Sequence, residues 1–250
     1  MDVRVTGRGP SEPFLGARDL FATEYDLDLP VVVKIRENPD ERTMAGHYDD
    51  RHELIVSRRA ATSAMARELA LHEFAHMARY EEAHPSHRQS TEEALFLALA
   101  GRSVERRKLS HCYQIANHMK DIYADDITLD IGPTEKLVAF MESSLARALA
   151  DSPPSAPGGW QRRTDAADPE ITAVNAAFAL ALLERHGAIE DGHRLYDLAA
   201  AAAADAPDVS LSRFKQHFRS LGADPDESEY RKALVDVTRE YAVGRERAAD

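Results

Sequence analysis

The chain has one cysteine, Cys112, and one tryptophan among 250 residues, and its lysines are confined to Lys34, Lys108, Lys120, Lys136, Lys215 and Lys232. A lone thiol excludes an internal disulfide and fits a reducing compartment. Long apolar runs are missing too: Ala94–Ala100 and Ala176–Leu183 are the longest and far too short to span a bilayer. Met1–Pro10 contains no apolar run, so no signal peptide is expected and the protein is read as cytoplasmic. Positive charge is scarce, with a formal net charge of −12. That balance disfavours sequence-independent binding to phosphate backbones, so a nucleic-acid partner is not expected. An acidic, arginine-over-lysine, alanine-rich composition suits solubility in concentrated salt, and a GC-rich gene would produce the same bias.

What the chain does have is the stretch Arg67–Tyr80, with His72-Glu73-Phe74-Ala75-His76 inside it. Gly and Pro are absent from Arg58 to Ala83, and Ala, Leu, Met, Glu and Arg dominate, so the segment predicts a helix. Residues i and i+4 of a helix share a face, so His72 and His76 can reach one ion. Met65, Leu69, His72 and His76 fall on one stripe, which predicts inward-pointing imidazoles. Glu73 lies about 100° further round the helix, where it can reach a water without binding the ion. Two neutral nitrogens would hold Zn²⁺, which lowers the pKa of water, and Glu73 would take the proton as general base.

In chain order, Glu12–Glu24 reads as a short helix, Leu29–Ile35 as the best strand, Thr43–Tyr48 as a second and His52–Ser57 as a third. These predict a small antiparallel meander running into the helix of the two histidines. The fold class expected is α+β, predominantly α, with a helical C-terminal part. Helices are expected over 91–107, interrupted at Gly101, then Leu109–Ile131 and Thr134–Ala150. The Pro- and Gly-rich stretch 151–168, which holds Trp160, reads as a linker. It divides a metal-binding domain, 1–150, from a helical region, 169–250. The latter comprises Ile171–His186, His193–Ala204, Leu211–Leu221 and Glu227–Val243.

Strands that end in Gly46-His47-Tyr48 and Leu54-Ile55-Val56, followed by a helix carrying His72-Glu73-Phe74-Ala75-His76, resemble the zincin metallopeptidases over roughly Pro30 to Gly132. The resemblance implies an edge strand that pairs with extended substrate and Glu73 as general base. It excludes the metzincin branch, which wants Gly and a third His where Arg79 and Glu82 stand here. A gluzincin- or aspzincin-like arrangement, with a carboxylate as third ligand, is what it implies.

Two positions compete for that carboxylate. His118, Asp121 and Asp125 share a helix face at i, i+3 and i+7, an expensive grouping on an apolar helix unless a cation faces it. Glu93 follows His76 at a gluzincin-like distance, but capping Ser90 explains it equally well. Asp121 is the expected ligand, with Asp125 and Glu93 as alternatives. His47 and His52 flank a turn and could meet substrate, whereas His84 and His87 read as plain surface residues.

The function expected is zinc-dependent hydrolysis of peptide bonds. A second class is DNA association, because Leu195–Ala206, a turn and the locally basic Leu211–Arg219 have helix-turn-helix proportions. A third is an inactive zincin-fold scaffold.

Overall fold

The computed structural model describes residues 1–151 and 168–244, and it is α+β and predominantly helical. The chain forms two compact units, Met1–Arg88 with Tyr123–Lys136, and Gln89–Ile122 with Leu137–Asp250.

In the first unit, β1 (Val3–Gly7), α1 (Glu12–Phe21), β2 (Val31–Arg36), β3 (Met44–His47) and β4 (His52–Ser57) precede α2 (Arg58–Ala61) and α3 (Ala66–Glu81). A short turn of helix, α4 (Pro85–Arg88), follows. The sheet order is β1-β2-β4-β3, with β1 parallel to β2, β2 parallel to β4, and only β3 antiparallel to β4. The meander is therefore wrong in its pairing, and β1 was not anticipated. Burial explains the arrangement. Strands β2 and β4 bury one face, with Val31, Val33, Ile35, Leu54 and Val56 in the core, and pair Lys34 with Glu53 on the other. Met-Ala-Gly-His makes a poor interior strand, so β3 takes the edge, with Met44 half-exposed. The edge beside β4 is thus Met44–His47, β1 forms the opposite edge, and Leu54–Val56 lies inside the sheet.

Helix α3 lies against this sheet through Leu71, Phe74, Ala75 and Ala78, and Phe74 meets Phe21 of α1 edge-on at 6.1 Å. Its C-terminal end is tied down by Glu81, which accepts from the backbone N–H of Asp28 (2.8 Å) and Leu29 (2.9 Å) and from the His52 ring (3.0 Å). One carboxylate thereby fixes the helix to the loop before β2 and to the start of β4. The second half of α6 (Arg106–Ile131) adds Ala124 and Ile127 to the same core, and the Arg79 guanidinium donates to the carbonyl of Tyr123 at 3.0 Å.

The second unit holds α5 (Thr91–Leu99), the first half of α6, α7 (Thr134–Ala150) and α8 (Pro169–Arg185). It continues with α9 (Arg194–Asp205), α10 (Leu211–Arg219) and α11 (Glu227–Val243). Helix α8 is mostly apolar and buried from Ile171 to Leu183 except at Asn175, the mark of a central helix. Val138 and Leu145 of α7 join Ala176, Leu180, Leu183 and Leu195 in one core. For that reason most of α7 belongs with the C-terminal helices, and the units do not divide at 151–168 as expected. The linker residues 152–167, Trp160 among them, lie outside the described residues. No described helix is long and apolar enough to cross a membrane.

Candidate metal centre

Leu71, Phe74, Ala75 and Ala78 occupy the face of α3 that packs into the core, and this rotates the two histidines onto its flank. His72 and His76 are half-buried rather than fully inward. The apolar stripe drawn through Met65 and Leu69 therefore misplaced the core face, since Met65 is the residue that caps the helix. A flank position leaves both rings partly exposed.

The two Nε2 atoms stand 3.0 Å apart, with ring centroids at 4.5 Å. Each Nδ1 is held from behind. That of His72 meets the carboxylate of Asp125 at 2.7 Å, and that of His76 meets His87 Nε2 at 2.8 Å. Asp125 is buried, 5% exposed, so its charge is spent on a single short contact rather than on solvent. The carboxylate accepts, which places the His72 proton on Nδ1 and leaves Nε2 as a lone pair.

Asp121 stands one turn before Asp125 on α6, a helix that runs unbroken through this point. Asp121 is half-buried there, 3.4 Å from His118 Nδ1. Two imidazole nitrogens and a carboxylate oxygen are donors suited to zinc, and a carboxylate behind one imidazole is the support such ligands ordinarily have. Glu93 is exposed and serves its helix, where its backbone N–H donates to Ser90 Oγ at 3.2 Å. It joins no such grouping among the described residues. Glu73, next to His72, is half-buried, and its carboxylate makes no hydrogen bond or ion pair among the described residues.

Other expectations are redistributed. His118 stays beside Asp121, with its Nδ1 3.4 Å from Oδ2, while its Nε2 meets Asn175 at 2.8 Å and its ring stacks on Phe178 at 4.3 Å. His52 is fully buried, held by Glu81 and by His47 Nδ1 at 2.9 Å, so it cannot touch substrate. His47, on the edge strand, stacks on Tyr80 at 4.0 Å. Burial, and then the neighbouring His52 and His76, push its pKa down to about 4. His84 and His87 are not plain surface residues. His84 is buried, and His87 is joined to His76. The loop composition hid them; two histidines within eleven residues of His76 were the available signal.

The basic residues of α10 are paired within their own unit. Arg213 and His217 bind Glu240, and Lys215 and Arg219 bind Glu184.

A family model spans residues 1–243. The chain belongs to DUF5781, a family of unknown function. No curated protein and no solved structure matches it.

Proposed function

We propose that the protein is a zinc-dependent hydrolase of the zincin type, cutting peptide bonds, with His72, His76 and Asp121 as ligands and Glu73 as general base. The observation that carries this reading is the facing pair of Nε2 atoms at 3.0 Å, one of the two rings backed by Asp125. Zinc held by these residues supplies the Lewis acidity that activates water and polarises a carbonyl.

The chain's own groups do the rest. Asp125 holds the His72 ring in one tautomer and orientation. Glu73 accepts the water proton and returns it to the leaving amine, and no hydrogen bond or ion pair among the described residues competes for its carboxylate. The outer edge of β3 offers unpaired backbone groups to an extended peptide, which would add a strand there. His47, on that strand, stays neutral near pH 7 and brings no charge to the entrance.

Zinc content of protein purified without chelator tests the site: about one ion per chain is expected, and none in His72→Ala/His76→Ala. A peptide library tests the activity. Zinc bound with no cleavage of any peptide would leave the scaffold as the better reading. DNA association gains no support, because the cations of α10 are neutralised by Glu184 and Glu240.

A further inference from the structure

We infer that His87, Ser86 and His84 form a proton-ordering relay that fixes the tautomer of His76 and so makes its Nε2 a ligand. The inference rests on the zinc reading, and its starting point is a backbone amide. The N–H of Ser86 can only donate, and it donates to His84 Nδ1 at 3.2 Å. That nitrogen is therefore a lone pair, and the Ser86 hydroxyl, 2.7 Å away, also donates to it. With its one proton so used, Ser86 Oγ must accept from His87 Nδ1 at 2.8 Å. A neutral His87 protonated on Nδ1 has a bare Nε2, which accepts from His76 Nδ1 at 2.8 Å. The proton of His76 is thus placed on Nδ1, and its Nε2 is left as a lone pair.

Asp125 forces the same outcome on His72 from the opposite side. Both Nε2 atoms then present lone pairs 3.0 Å apart, as two ligands of one cation would. The two supports differ in kind: a carboxylate stands behind His72 and a second imidazole behind His76.

Burial keeps the order intact. Ser86 is fully buried and His84 is 7% exposed, so water does not compete for the far end. The backbone is shaped for the purpose. Ala83 adopts a left-handed φ of 53°, uncommon for a residue with a side chain, and the chain turns back there so that α4 lies beside α3. His87, His84, Ser86 and Ala83 are accordingly positioning residues.

The test is zinc affinity by chelator competition on the full chain, comparing wild type with His87→Phe, His87→Gln and Ser86→Ala. Glutamine can accept from His76 with its amide oxygen and donate to Ser86 with its nitrogen, so it preserves the direction of the relay. His87→Phe should bind zinc about 10- to 100-fold more weakly, His87→Gln should recover most of that loss, and Ser86→Ala should fall between. Selective rescue by glutamine is what a merely structural role would not show. Equal affinity in His87→Phe and wild type, or equal weakness in both His87 variants, overturns the relay. A cobalt-substituted His87→Gln protein whose visible spectrum reports a lost nitrogen ligand overturns it as well, making His87 a ligand. A wild type that takes up no zinc overturns the metal reading itself.

Discussion

His72 and His76 hold their Nε2 atoms 3.0 Å apart across one turn of α3, while Asp125 grips the first ring from behind at 2.7 Å. Ring nitrogens that close either share one proton or share a cation. Because the carboxylate already claims the His72 proton on Nδ1, the shared-cation state needs no rearrangement of that ring.

Glu73→Gln separates enzyme from scaffold. The amide keeps the size of the side chain but cannot accept a proton. Cleavage of peptides should fall by roughly two to four orders of magnitude, with zinc content and melting temperature near wild type. Equal turnover by both proteins would remove Glu73 from the chemistry.

The two aspartates of α6 should behave differently. Asp121→Ala removes a ligand and should leave purified protein short of one zinc per chain. Asp125→Ala removes only the support of His72 and should weaken zinc about 10- to 100-fold, whereas Asp125→Asn, which can still accept from Nδ1, should be milder. Glu93→Ala should change nothing. Dialysis against graded chelator ranks all four, and a large loss in Glu93→Ala alone would transfer the ligand role to it.

His47 gives a pH dependence of known sign. Its folded pKa, about 4, lies below the ordinary 6.5, so the unfolded chain binds the extra proton between these values. Stability should therefore rise with pH through that window and be lost as the pH drops from 6.5 toward 4. Thermal melts along the series check the slope, and His47→Phe, which keeps the stacking on Tyr80, should flatten it. A His47 ring that titrates near 6.5 in the folded protein would refute the prediction.

Cys112 should be inert. Burial pushes its thiol up to about 12, and its Sγ faces the carbonyl of Thr238 at 3.9 Å. A thiol reagent at pH 7.5 should label it only after denaturation; rapid labelling of the folded chain would contradict this.

Composition and local pattern determined a good deal of this protein. They determined the α+β class, the helix around His72 and His76, the strand His52–Ser57 and the helices Thr134–Ala150 and Glu227–Val243, whose ends carry strong local signals. Spacing sufficed for the two histidines, because i and i+4 are neighbours on any helix. Sheet order was different. Which strands sit centrally depends on which apolar faces pack into the shared core, so β2 and β4 became parallel neighbours and β3 an edge. The helix spacing that grouped Asp121 with Asp125 could not divide their work either. Only the fold turns Asp125 to the back of His72. His87 was least legible of all. Its role depends on a left-handed turn at Ala83 and on a serine buried behind it, and only the folded backbone brings those atoms within hydrogen-bonding distance.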